Sequence, residues 1–83
     1  MSEKPVIYIK PGCPWCHEAL EFLDDNGIEY RKVDVTSDPK HMEEMVKLSG
    51  QSKAPTMQWT DGAILADFGV AELEPFLEER DAL

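Results

Sequence analysis

Apolar positions along the chain change rhythm several times, and each change marks an element. Val6 to Ile9 is an unbroken run of β-branched and aromatic residues, which predicts a short buried strand. Lys10-Pro11-Gly12 breaks that run as a turn would. From Pro14 to Asn26 the spacing becomes helical, with Cys16, Ala19, Leu20 and Leu23 on one stripe and Glu18, Glu21 and Asp24 elsewhere. Pro14 suits a first turn, where its missing N–H would have had no partner, and Asn26-Gly27 suits a helix end. Ile28 to Val35 predicts a second strand, built on Tyr30, Val33 and Val35.

Asp38 is then placed to cap a second helix with Pro39 as its first residue. Met42, Met45, Val46 and Ser49 share one face of it, and Gly50 closes it; methionines at this spacing read as core filler rather than metal or haem ligands. Thr56 to Thr60 predicts a third strand, Asp61-Gly62 a tight turn, and Ala63 to Ala66 the returning strand. A last helix is expected from Gly69 to Ala82, with Leu73, Phe76 and Leu77 on one face. Pro75 requires that this helix either start late, near Ala71, or kink. The order β-α-β-α-β-β-α predicts an α/β fold with a four-stranded mixed sheet flanked by helices. Its first β-α-β unit is a parallel crossover and its last strand pair a hairpin. Residues 1–83 have room for one domain with one modest core.

Composition narrows the function classes. Apolar residues make up 42% and charged residues 30%, as in an ordinary globular chain. The formal net charge of −9, with only eight Lys and Arg, argues against nucleic-acid and anionic membrane surfaces as partners. No stretch approaches the roughly 20 apolar residues that cross a bilayer. Glu3 and Pro5 precede only four apolar residues, which does not read as an export signal, so a cytoplasmic location is expected.

Chemistry concentrates at Cys13-Pro14-Trp15-Cys16, directly after a strand and at the start of a helix. Backbone N–H groups without intrahelical partners, and the positive end of the helix dipole, converge on the first sulfur there. That favours the thiolate, which is the nucleophile in exchange, and places Cys16 one turn on, near enough to resolve a mixed disulfide. In a reducing compartment such a pair is redox-active rather than a staple. Zinc would need about four ligands, and His17 is too close in sequence to complete a tetrahedral set with the two sulfurs. The Cys-x-x-Cys-His spacing of covalent haem attachment is present, but it follows a strand and no export signal. His17 reads as an exposed polar residue rather than a proton shuttle, and His41 carries no functional reading. Trp15, at the exposed turn, reads as an aromatic wall for a substrate. Ala54-Pro55 opens the third strand; taken alone, its peptide bond is expected trans.

Lys10, Cys13, Pro14, Trp15, Cys16 and His17 after Tyr8 resemble the first block of the glutaredoxins. Asn26 to Tyr30, Glu43 to Gly50 and Ser52-Lys53-Ala54-Pro55 resemble later blocks of the same family, so the likeness spans nearly the whole chain. It implies a thioredoxin-like fold, a cis Pro55 and a glutathione-coupled cycle without a metal. Cys13 would attack disulfides of proteins or glutathionylated proteins, Cys16 would resolve, and glutathione would restore the dithiol of a monomeric enzyme. By position, the resemblance implies that Lys10 holds the glycyl carboxylate of glutathione, that Trp15 flanks the tripeptide, and that Ala54, beside Pro55, pairs with its backbone. Backbone N–H groups of Gly69, Val70 and Ala71 would receive the γ-glutamyl carboxylate, with Lys53 as an added cation. Phe68-Gly69-Val70-Ala71-Glu72-Leu73 departs from the family's Gly-Gly-x-Asp/Thr-Asp-Leu, which bears on glutathione specificity rather than on exchange. Two other readings stay open. One is a ribonucleotide-reductase-type redoxin reduced by thioredoxin reductase; the other is a [2Fe–2S] carrier, which Pro14 disfavours.

Overall fold

The computed structural model describes residues 4–83, so Glu3 lies outside the described residues. The chain order is β1 (Val6–Ile9), α1 (Pro14–Asp25), β2 (Arg31–Asp34), α2 (Pro39–Ser49), β3 (Thr56–Gln58), β4 (Ile64–Ala66) and α3 (Val70–Glu79). The strands form one four-stranded sheet in the order β2-β1-β3-β4. β1 runs parallel to β2 and antiparallel to β3, and β3 and β4 form the hairpin. This is the four-stranded mixed α/β sheet that the pattern predicted, in the thioredoxin-like arrangement that the resemblance implied.

Alternation along β1 divides the core. Ile7 faces one side, where Ala19 and Leu23 of α1, Leu73 and Leu77 of α3, Met57 and Phe68 close a buried cluster. Tyr8 faces the other, with Val35 and with Met45 of α2. α1 and α3 therefore cover one face and α2 the other.

Several boundaries differ from the pattern. β2 starts at Arg31 rather than Ile28, because its partner strand ends at Pro5, which has a carbonyl for the Arg31 N–H (2.8 Å) but no N–H of its own to extend the ladder. Ile28 instead donates its N–H to Leu23 O at 2.9 Å, closing the end of α1. The hairpin turn is longer than Asp61-Gly62. Trp59 N–H bonds Ala63 O (2.9 Å) and Gly62 N–H bonds Trp59 O (3.0 Å), leaving a three-residue loop whose last residue, Gly62, has φ 90°. On α2 only Met45 is fully buried; Val46 is exposed. α3 begins at Val70, one residue from the late start expected near Ala71, and ends at Glu79 rather than Ala82; Pro75 falls inside it and not in its first turn. Pro75 and Ala71 are both exposed, and water can satisfy the Ala71 carbonyl that a residue-75 N–H would have bonded.

Candidate active site

β1 ends at Ile9 and the chain turns through Lys10-Pro11-Gly12, with Gly12 at φ 70°, to deliver Cys13 to the N-terminus of α1. Cys13 is the N-cap: its backbone is extended (φ −98°, ψ 106°), and its sulfur accepts the Cys16 N–H at 3.2 Å. A sulfur thus takes the place that a Ser or Asp oxygen holds in most caps. Pro14 follows as the first helical residue. Cys13 is partly buried and Cys16 only 2% exposed, both as free thiols. Burial, and then the hydrogen bond with Cys13, push the Cys16 thiol up to about 11. The two sulfurs are therefore unequal: one is reachable and capped by a backbone donor, the other buried and held neutral.

The loop before β3 comes up against this motif. The Ala54–Pro55 peptide is cis, as the resemblance implied. The Cys13 thiol reaches the Ala54 carbonyl oxygen at 4.0 Å, and Lys10 Nζ donates to Ser52 O at 2.9 Å. The first loop and the proline loop are thereby joined beside the sulfurs. Lys53 is also here, its Nζ 3.8 Å from Asp67 Oδ2 across an exposed pair.

On the other flank Trp15 is 55% exposed, and its ring lies against Gly69, the N-cap of α3. A Cβ at residue 69 would stand 3.2 Å and 3.3 Å from Trp15 ring carbons, so the glycine permits this contact. Trp15, Glu18, Gly69, Val70, Ala71 and Glu72 line a small pocket of about 260 Å³. Inside it the Gly69 N–H is already engaged by Glu72 Oε1 at 3.1 Å. The helix start expected to receive a carboxylate from glutathione therefore holds one from its own first turn. The Gly69-x-x-Glu72 spacing carried that signal, since Glu three residues after an N-cap reaches back to the cap N–H. A larger pocket of about 700 Å³, around Lys4, Arg31, Gln58 and Trp59, lies at the other end of β1 from the thiols and has no part in their chemistry.

Of the sequence-predicted residues, the fold gathers Cys13, Cys16, Lys10 and Ala54-Pro55 on one side of the motif. Trp15, Gly69, Val70 and Ala71 lie on the other, and Lys53 is paired at the rim. Among the described residues, no group of three or more His, Cys, Asp or Glu side chains is placed to hold a metal ion. Neither is any helix long and apolar enough to cross a membrane.

A dithiol at a helix N-terminus, with its second sulfur buried and a cis-proline loop beside it, defines a thiol–disulfide oxidoreductase on the thioredoxin-like fold. Comparison with known proteins narrows the class. The family profile described as Glutaredoxin matches residues 6–58, and the chain belongs to the glutaredoxin family. It is 40% identical over 73 residues to an uncharacterized glutaredoxin-like 8.6 kDa protein in the rubredoxin operon of Clostridium pasteurianum, covering 88% of this chain and 96% of that one. To glutaredoxin 3 of Escherichia coli K12 it is 35% identical over 49 residues, 59% of each chain. Among solved structures, the thioredoxin-like protein BC3987 superposes with a TM-score of 0.79 at 30% identity, over 89% of this chain and all (100%) of that one.

Proposed function

We propose that this oxidoreductase is glutathione-coupled and reduces protein disulfides and glutathione mixed disulfides through Cys13 and Cys16. The observation that carries the reading is the capped Cys13 sulfur facing the Ala54 carbonyl, with the Lys10 ammonium beside the same loop. A cysteinyl peptide laid along that loop can pair with the Ala54 backbone as an added strand does. Its disulfide then sits against Cys13, and its terminal carboxylate can take one of the two Lys10 donors left after Ser52.

The Cys13 thiolate attacks one sulfur of the substrate disulfide, forming a mixed disulfide and expelling the other sulfur as a thiolate. Cys16 loses its proton as it attacks Cys13 Sγ, releasing the second substrate thiol and leaving a Cys13–Cys16 disulfide. One glutathione thiolate then opens that bond at Cys13 and returns Cys16 to a thiol. A second attacks the glutathione sulfur of that mixed disulfide, forming glutathione disulfide and expelling Cys13 as a thiolate. Two electrons pass from two glutathiones to one substrate disulfide. A glutathionylated substrate needs only Cys13.

One observation favours a second reading, in which thioredoxin reductase supplies the electrons. The Glu72 carboxylate on the Gly69 N–H competes with the γ-glutamyl carboxylate for the same helix start. Coupled assays separate the two. Turnover is expected with NADPH, glutathione reductase and glutathione; turnover with thioredoxin reductase alone would replace the first reading by the second.

A further inference from the structure

Between the end of α2 and the start of β3 the chain must turn back within residues 51–55 and pass the thiols on the way. Gly50, at φ 70°, ends the helix, and Gln51 is the first residue beyond it. Its side chain is partly buried and makes three hydrogen bonds. Gln51 Oε1 accepts the Lys53 N–H at 2.6 Å, while Nε2 donates to Ser49 Oγ at 2.8 Å and to Thr56 Oγ1 at 2.9 Å. Thr56, fully buried, donates its hydroxyl to Lys53 O at 2.7 Å, and Ser49 donates to Met45 O at 2.6 Å.

The polarity of this network is forced. Carbonyl oxygens can only accept, so the Thr56 proton goes to Lys53 O and the Ser49 proton to Met45 O, with Gln51 O (3.2 Å) as a more distant acceptor for Ser49. Each hydroxyl oxygen is then left needing a donor, and the Gln51 amide is the group that supplies two. Its remaining oxygen faces the Lys53 N–H. Both backbone groups of Lys53, the residue before Ala54, are thus held from inside the molecule. Lys10 Nζ holds Ser52 O from the thiol side. The Ser52–Lys53 peptide is thus held at both its carbonyl and its N–H, and the carbonyl of Lys53 leading into Ala54 is held by Thr56, although Gln51 touches neither thiol.

We propose that Gln51 is a positioning residue for the exchange reaction: it fixes the Lys53–Ala54 backbone in the orientation that pairs with a peptide substrate against Cys13. This rests on the backbone pairing described under the proposed function. It further assigns the specificity for peptide over non-peptide disulfides to a side chain outside the site.

The test compares pre-reduced protein in single turnover with a synthetic disulfide-bonded peptide and with 2-hydroxyethyl disulfide, which has no backbone to pair. Both reactions use the same Cys13 chemistry and need no glutathione. Wild type should react faster with the peptide. Gln51→Ala should lower the second-order rate constant for the peptide about tenfold, the scale of losing a buried hydrogen-bonded group, and leave that for 2-hydroxyethyl disulfide within about twofold. Gln51→Glu keeps size and the acceptor for Lys53 N–H but offers no donors, and should show the same selective loss if Gln51→Ala fails to fold. Equal losses on both substrates, as a general loosening would give, or an unchanged peptide rate, would overturn the role of Gln51. A wild type that shows no preference for the peptide would overturn the pairing itself and this role with it.

Discussion

The Glu72 carboxylate accepts the Gly69 backbone N–H at 3.1 Å, so the first turn of α3 carries its own anion at the place where a bound carboxylate would arrive. An incoming carboxylate must displace Glu72 or approach it against like charge. Glu72→Gln keeps an acceptor and removes the charge, so the apparent KM for glutathione should fall about threefold to tenfold, the range of a helix-terminus charge interaction. Cys13 alkylation by iodoacetamide should stay unchanged, because Glu72 lies on α3 and not on the cysteine helix. A KM that stays the same or rises would mean Glu72 does not compete.

Cys13 and Cys16 should separate by substrate. Cys13→Ser should abolish exchange on every disulfide, since Cys16 is buried and neutral. Cys16→Ser should retain turnover of a glutathionylated peptide but accumulate a mixed disulfide with a protein disulfide, visible by mass spectrometry. Equal inactivity of both variants on the glutathionylated peptide would rule out the one-thiol step.

Alkylation of the reduced protein should divide the thiols by pH. A thiol pushed up to about 11 is ionised in about one molecule in a thousand at pH 8, and its thiolate fraction rises tenfold per pH unit until the pH nears that value. Peptide mapping should therefore find the Cys13 position labelled first at neutral pH and Cys16 labelled only in alkaline solution. Burial is the larger cause, so Cys16 labelling at pH 8 should stay slow in a Cys13→Ser variant. Labelling of both at equal rates at pH 8 would contradict the burial of Cys16.

Phe68 shows why one departure from the glutaredoxin pattern is a matter of packing. Its side chain is only 1% exposed and sits in the cluster of Ile7, Leu23, Met57 and Leu73. Phe68→Ala should destabilise the fold by about 3–5 kcal/mol, read as a lower urea midpoint. A loss under about 1 kcal/mol would mean that the ring is not core. A glycine introduced there to restore the family's motif would remove core volume.

The elements themselves were legible because they are local. Strand runs, the helical stripe of Cys16, Ala19 and Leu23, the Asp38-Pro39 helix start and the Cys-Pro-Trp-Cys placement depend on neighbours within a few residues, and on periods that backbone geometry sets. The dithiol chemistry was legible for the same reason: a sulfur at a helix N-terminus is a relation within four residues. Boundaries were less so. The start of β2 depends on where Pro5 ends the partner strand, and the helix through Pro75 depends on an exposed carbonyl that water can serve.

What this chain determined by itself was therefore its order of strands and helices, its redox-capable pair and its family likeness. Tertiary structure alone decided that Lys10 ties to Ser52, that Gln51 holds the backbone of Lys53 through a network reaching from Met45 to Thr56, that Trp15 rests on Gly69, and that Lys53 faces Asp67. Those partners are mostly set by loops meeting at one end of the sheet. Hydrogen bonds there are fixed by distances of a few tenths of an ångström, which no pattern of apolar and polar positions records.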